Sequence, residues 1–329
     1  MKILVTGGLG YIGSHTVVEL CENNYEVVII DNLSNSKIEV LDKLEQITGK
    51  KIKFYLGDVC NKQLLQEIFK KEKIDGVIHF AGYKAVGESV LKPLKYYRNN
   101  LDSTITLLEV MEEYGVYNLV FSSSATVYGN PKTLPIKEDF PLSTTNPYGT
   151  TKLFIEHILS DLCVANDKWN ITILRYFNPI GAHKSGLIGE DPNDIPNNLM
   201  PYIVKVATGE LAVLSIFGND YNTCDGTGVR DYIHVCDLAK GHVLSLQKMA
   251  GLKYYNLGTG KGTSVLELVT IFEDVNQITV NKKIVERRPG DIDACFADTE
   301  KAFKELGFKT EYDVNDMCRD AYNFVMKNK

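Results

Sequence analysis

A strand that runs without interruption into a glycine-rich loop and then a helix opens this chain, and few local features restrict a fold more. Lys2–Thr6 is an apolar run, Gly7-Gly8-Leu9-Gly10-Tyr11-Ile12-Gly13 follows at once, and a helical pattern covers Ile12–Asn23. With Gly7, Gly10 and Gly13 spaced in this way the backbone can turn tightly, approach a pyrophosphate and pack helix against strand. The first helical turn then offers unpaired N–H groups and the positive end of the helix dipole to phosphate oxygens. A plain tight turn would also use such glycines. Asp31 separates the two readings: it ends the second strand about 20 residues on, where an acid binds the adenosine ribose hydroxyls. Its carboxylate accepts from a free 2′-hydroxyl and repels a 2′-phosphate, and no arginine stands in Asn32–Ser36 to neutralise one. NAD rather than NADP is the expected cofactor.

The pattern behind the loop is α/β. Glu26–Ile30, Lys53–Leu56, Gly76–Phe80, Asn118–Ser122 and Ile171–Tyr176 are strand-like and alternate with helical segments, the longest over Pro93–Tyr114. This predicts a Rossmann-type doubly wound parallel sheet with helices on both faces. Prolines and asparagines thicken over Asn178–Pro201 and the alternation weakens, so a smaller mixed α/β substrate domain is expected from Asn178 onward. The first domain then spans 1–177, with about 231–260 returning to it through the strand-like pieces Asp231–Val235 and Tyr254–Leu257. The second takes 178–230 and 261–329. Gly258-Thr259-Gly260-Lys261-Gly262-Thr263 fails as a second phosphate loop, because Gly262 rather than Ser or Thr follows Lys261. A turn and a helix capped at Thr263 or Ser264 fit better.

A net charge of −6 excludes the basic stripe that nucleic acid demands, so an anionic ligand would need a local arginine cluster. The seven cysteines are odd in number, scattered and without a CxxC pair, which points to reduced thiols in the cytoplasm. The apolar start is too short for a signal peptide, and no stretch approaches the roughly 20 apolar residues of a membrane span.

Tyr148-Gly149-Thr150-Thr151-Lys152 puts a phenol and an ammonium four residues apart, on one face if helical. With 18 tyrosines and 36 basic residues in 329, chance supplies about two such pairs. Ser122-Ser123-Ser124 at the end of an upstream strand adds weight, since ligand groups gather at the carboxyl ends of parallel strands. A sugar hydroxyl that loses its proton as its carbon gives up hydride needs an anionic base. Free tyrosine titrates near 10, so a phenolate at pH 7 needs about 4 kcal/mol of help, which an ammonium and a positive nicotinamide ring would both provide. Tyr148 is the expected base, Lys152 its electrostatic partner and Ser124 the proton relay. The six histidines show no metal spacing; His79 and His234 sit in apolar strands as packed core residues, and no metal is expected.

Across nearly its whole length the chain resembles the extended short-chain dehydrogenases/reductases, and among them the 4-epimerases of UDP-sugars. The segments that carry the likeness are VTGGLGYIGSHT, DNLSNS, GDV, HFAGYKAVGES, SSSATVYG, NPYGTTK, LRYFNPIGAH, FGNDYNTCDGTGVRDYIHV and RRPGD. The resemblance implies NAD contacts at Tyr11, Ile12, Asp31, Asn32, Leu33, Ser34, Asn35 and Ser36, at Asp58 and Val59, and at Phe80, Ala81, Gly82 and Lys84. It adds Asn99 and Phe177, with Ser122, Ser124, Tyr148 and Lys152 beside the same cofactor. Nucleotide-sugar contacts are implied at Lys84, Ser124, Tyr148, Asn178, Asn198, Leu199, Ser215, Ile216, Phe217 and Arg230, across Arg288–Asp291, and at Cys295. It further implies interconversion of UDP-galactose and UDP-glucose through a 4-keto sugar, with NAD retained, and a homodimer paired through helices.

Three rivals share parts of this pattern. A 4,6-dehydratase of the same superfamily carries Asp-Glu after the catalytic hydroxyl residue; Ala125 and Thr126 stand there instead. A uronate decarboxylase fails for a related reason. An inactive NAD-sensing relative would have lost Tyr148 or Lys152. Cys295 falls where some members carry a tyrosine and others something small, so space for an N-acetyl group, and action on UDP-N-acetylglucosamine and UDP-N-acetylgalactosamine, are expected as well.

Overall fold

The computed structural model describes residues 1–193, 198–288 and 291–329. Strand and helix alternate through the first half: β1 (Lys2–Thr6), α1 (Tyr11–Glu22), β2 (Glu26–Asp31), α2 (Glu39–Thr48), β3 (Lys53–Leu56), α3 (Lys62–Glu72) and β4 (Gly76–His79). Then come α4 (Val86–Leu91), α5 (Pro93–Glu113), β5 (Asn118–Ser124), α6 (Pro147–Ala165) and β6 (Asn170–Tyr176). The second half is more broken: β7 (Asn178–Ile180), α7 (Leu199–Ala207), β8 (Leu214–Phe217), β9 (Val229–Arg230), β10 (Tyr232–His234), α8 (Val235–Gln247) and β11 (Leu252–Leu257). It closes with β12 (Thr263–Ser264), α9 (Val265–Asn276), β13 (Lys282–Val285), β14 (Ala294–Cys295), α10 (Glu300–Leu306) and α11 (Val314–Asn328).

Seven parallel strands form the central sheet in the order β11-β6-β5-β4-β1-β2-β3. Side-chain alternation along the strands feeds two cores. Ile3, Val5, Ile29 and Ile78 face one side and pack with Val17 and Leu20 of α1 and Leu238 of α8. Leu4, Val28, Ile30 and Val77 face the other and pack with Ile68 of α3, Leu107 of α5 and Ile155 of α6. A strand buried on both faces reads as a continuous apolar run, which is why the strands of this sheet stand out in the sequence.

Of the two later pieces expected in this sheet, Tyr254–Leu257 joins it as part of β11 beside β6. Asp231–Val235 does not. Its central residues form β10, which pairs in parallel with β7 in a separate two-stranded sheet. Tyr232 turns into a third core with Ile180, Met200, Ile203, Leu268 and Phe272, the core of the smaller half. At the rejected phosphate loop, Ser264 caps α9 in a reciprocal capping box with Glu267.

Candidate active site

The strand order reverses between β1 and β4, and the crevice beyond their carboxyl ends is where an open α/β sheet binds ligands. Here it opens into a cleft of about 1110 Å³ that runs from Asp31 to Cys295.

Local backbone geometry builds the cofactor half. Gly7 adopts φ +68°, a left-handed conformation that favours glycine, and a Cβ on Gly13 would stand 2.3 Å from the Gly7 carbonyl oxygen. Gly10 precedes α1 without a side-chain cap, so nothing covers the first-turn N–H groups from that side. Asp31 is buried; its carboxylate accepts from Leu9 N (3.0 Å), Leu33 N (2.9 Å) and Ser36 Oγ (2.8 Å). A carboxylate has about four acceptor sites, so capacity remains for a ribose hydroxyl. Burial raises the Asp58 carboxyl, but hydrogen bonds from the Cys60 N–H and Asn32 Nδ2 outweigh it and hold the group below its usual range. Val59, Phe80, Ala81, Gly82, Lys84, Asn99 and Phe177 line the same cleft, as do Asn32 and Ser34–Ser36. The glycine cradle, the open helix N-terminus and the acid at β2 together fit a dinucleotide. Leu33 is not part of the cleft wall; it packs against the first core.

Ser124 ends β5, and Tyr148 and Lys152 occupy the first turns of α6, whose N-terminus Asn146 caps through Gly149 N at 2.9 Å. All three line the cleft. Ser124 Oγ accepts from Thr126 N (3.2 Å) and Thr126 Oγ1 (3.0 Å), which leaves its own proton free to donate. Burial pushes the Tyr148 phenol up to about 12, against a hydrogen bond from Ser124 that favours the anion. Lys152 stands one helical turn beyond the phenol. Its Nζ donates to Ser122 O at 2.7 Å, over the face of Phe121, and burial brings it down to about 8. Burial thus works against the phenolate, while Lys152 at about 8 keeps its positive charge at pH 7.

At the sugar end, Asn178, Asn198, Arg230, Arg288, Asp291 and Cys295 line the cleft. Arg230 donates to Ile292 O at 2.9 Å, and Arg288 Nε bonds Asp291 Oδ2 at 3.0 Å, so both guanidinium groups are tethered beside one acid. The neighbouring Arg287 is tied to Asp220 at 2.6 Å and stacked on Tyr221, outside the cleft wall. Cys295 pairs in register with Arg230 across β14 and β9, and burial lifts its thiol to about 11, so it is neutral.

Four residues implied on the nucleotide sugar stand off the cleft wall. Leu199 and Ile216 pack with the third core, Ile216 at 2% exposure, and Ser215 shares the β8 strand with Ile216. Phe217 lies at the rim, where Arg288 stacks on its ring at 4.7 Å. Pro289 and Gly290, inside the implied stretch Arg288–Asp291, fall outside the described residues.

Several residues of the site escaped sequence reading. Asn100 bonds both Tyr83 backbone groups and Thr151, pinning the loop after β4 to α6. Tyr176 hydrogen-bonds Ser122 beside Tyr148. Glu190 meets Lys84 and Asn198. Only Thr126, inside the serine-rich segment, had a local signal. His79, between Thr6 Oγ1 and Thr104 Oγ1, is a neutral core residue that burial holds near 3. Among the described residues no three His, Cys, Asp or Glu side chains gather as metal ligands, and no helix is long and apolar enough to cross a membrane.

Residues 4–321 match the family described as GDP-mannose 4,6 dehydratase. UDP-glucose 4-epimerase of Dictyostelium discoideum is 59% identical over 331 residues, covering 99% of this chain and 96% of that protein. The Bacillus subtilis (strain 168) UDP-glucose 4-epimerase is 58% identical over 331 residues, covering 100% and 98%. The crystal structure of UDP-glucose 4-epimerase from Bifidobacterium longum in complex with NAD+ and UDP superimposes with a TM-score of 0.97 at 55% identity, covering 100% of this chain and 99% of that one.

Proposed function

This chain belongs to the UDP-glucose 4-epimerase family of extended short-chain dehydrogenases/reductases, and from that membership we propose that it interconverts UDP-galactose and UDP-glucose. The observation that carries the reading is one continuous cleft. It joins the glycine cradle and Asp31 at one end, through Ser124 and Tyr148, to Arg230 and Arg288 at the other. The dehydratase in the wider family's description needs an acid beside the catalytic hydroxyl; Ala125 and Thr126 stand there, and the Thr126 hydroxyl serves Ser124.

Gly7, Gly13 and the N-terminus of α1 would hold the NAD pyrophosphate, and Asp31 the adenosine ribose. When bound, NAD supplies a reversible hydride acceptor for the sugar C4, so it is not consumed. Tyr148 takes the 4-hydroxyl proton and returns it after the 4-keto sugar has turned in the cleft. Ser124 donates toward the phenol and orients it. Lys152, fixed on Ser122 O, adds a cation nearby, and Arg230 and Arg288 are the forked donors for the diphosphate. Residues 1–177, joined by α8 and the 252–257 strand, form the cofactor half, and most of the remainder the nucleotide-sugar half. The purified protein is expected to interconvert the two UDP-sugars without added NAD; absence of interconversion, with or without NAD, overturns the proposal.

Denaturing the purified protein should release NAD in place of NADP, because the Asp31 carboxylate repels a 2′-phosphate. Chromatography of the released nucleotide checks this, and recovery of mainly NADP would contradict it.

Cys295 lies among Val127, Tyr128, Phe177 and Ala297, a small side chain where a tyrosine would crowd the sugar C2 substituent. The enzyme therefore also acts on UDP-N-acetylglucosamine and UDP-N-acetylgalactosamine. Cys295→Tyr should suppress turnover of that pair by roughly 10-fold or more relative to the plain pair, the size that loss of pocket space gives. A wild type inactive on the N-acetylated pair would refute this.

A homodimer completes the reading. Helices α5 and α6 pack side by side and present Leu94 (80% exposed), Ile105 and Phe154, an apolar stripe of the kind that helical pairing covers. Sedimentation of the protein as a dimer, and of Leu94→Glu with Phe154→Glu as a monomer, is the expected result. The seven free thiols suit a cytoplasmic location.

A further inference from the structure

One carboxylate in the cleft answers to both of its halves. Glu190 belongs to the Gly189–Asn193 segment, and its side chain is 9% exposed. Its Oε1 accepts from Asn198 Nδ2 at 2.8 Å and pairs with Lys84 Nζ at 3.3 Å. Asn198 stands at the sugar end, whereas Lys84 follows β4 on the loop that abuts the dinucleotide glycines. A single oxygen thus holds one side chain from each half. The same segment also reaches the adenosine end: Asp191 pairs with Lys37 at 2.5 Å, and Asn193 Nδ2 donates to Ser36 O at 3.0 Å.

A carboxylate is a repulsive lining for a cleft that receives two diphosphates. The Lys84–Glu190 pair does not explain it as a stabilising bond, because the Lys84 side chain is 40% exposed and partly solvated pairs contribute little. What the pair does supply is geometry, since it fixes the position of a cleft cation relative to Asn198.

Resting on the epimerase reading, we propose that Glu190 is a positioning residue that makes nucleotide-sugar binding and NAD retention depend on each other. A UDP group that engages Asn198 immobilises the Glu190 carboxylate. Through Lys84, and through Asp191 on Lys37, that holds the Gly189–Asn193 segment across the dinucleotide. Linkage makes the effect reciprocal: the factor by which UDP tightens NAD is the factor by which NAD tightens UDP.

The test follows loss of NAD from the purified holoenzyme into a trapping excess of NAD-consuming enzyme, with and without UDP. In the wild type, UDP is expected to slow the loss about 5-fold or more, within the usual range of coupling between sites. Glu190→Gln keeps an acceptor for Asn198 but removes the charge that holds Lys84, and should bring the factor close to about one. If this variant is purified without NAD, the same factor is read from its NAD affinity measured with and without UDP. A lower melting temperature with the full wild-type factor would mark Glu190 as merely structural and overturn the proposal. A wild type whose NAD loss UDP leaves unchanged overturns it too. A wild type that binds neither NAD nor UDP overturns the epimerase reading instead.

Discussion

Tyr148→Phe is expected to lower kcat by about 10²–10⁴-fold, the usual contribution of a positioned general base, with NAD still bound to the purified protein. Because the lost interaction belongs to the transition state, kcat and kcat/KM should fall together. The phenylalanine ring fills the same space, and Ser124 still has its bonds from Thr126, so folding should survive. Near-normal turnover would remove Tyr148 from the proposed role. The pH profile carries a second check. Burial holds the phenol near 12 and Lys152 near 8, so the chain by itself leaves Tyr148 protonated at pH 7. A cation brought into the cleft must favour the phenolate. Turnover should therefore fall on the acid side as the phenolate is protonated, and this limb should be absent from the residual activity of Tyr148→Phe.

Glu156→Leu should destabilise the protein by about 3–5 kcal/mol, the cost of leaving a buried charge without its partner. The Glu156 carboxylate and the Arg175 guanidinium meet at 2.6 Å with side chains 2% and 3% exposed. Ser123 Oγ also donates to Glu156 at 2.5 Å, and Tyr128 and Tyr254 flank the guanidinium. The ion pair thus fastens α6, eight residues beyond Tyr148, to β5 and β6. Denaturant unfolding of Glu156→Leu, Arg175→Met and the double variant tests it. The double variant should be more stable than either single one, because no uncompensated charge remains. Strictly additive losses would mean that the pair does not act as a unit.

Local signals made much of the site legible. Gly7, Gly10 and Gly13 announce a loop whose backbone admits little else, and Asp31 announces what the loop holds. Ser124, Tyr148 and Lys152 could be named because the carboxyl end of a parallel strand and a four-residue helical spacing are both properties of short segments. Sequence spacing gives the helix face but not which acceptor the ammonium reaches, here Ser122 O. Strand alternation turns the Ile216 side chain into the third core, which leaves only its backbone to face a ligand.

What the sequence alone determined is the doubly wound sheet, the dinucleotide loop, the use of NAD and the residues proposed for catalysis. Each is written in a continuous apolar strand, in a required φ or in a charge at fixed spacing. Only the tertiary structure decided that β10 leaves the main sheet for β7, that Arg288 and not Arg287 lines the cleft, that Arg175 is neutralised by Glu156, and that Glu190 stands between Lys84 and Asn198. Those contacts join residues up to 106 positions apart. They depend on how packed layers bring separate loops to one place, which no local pattern of side chains encodes.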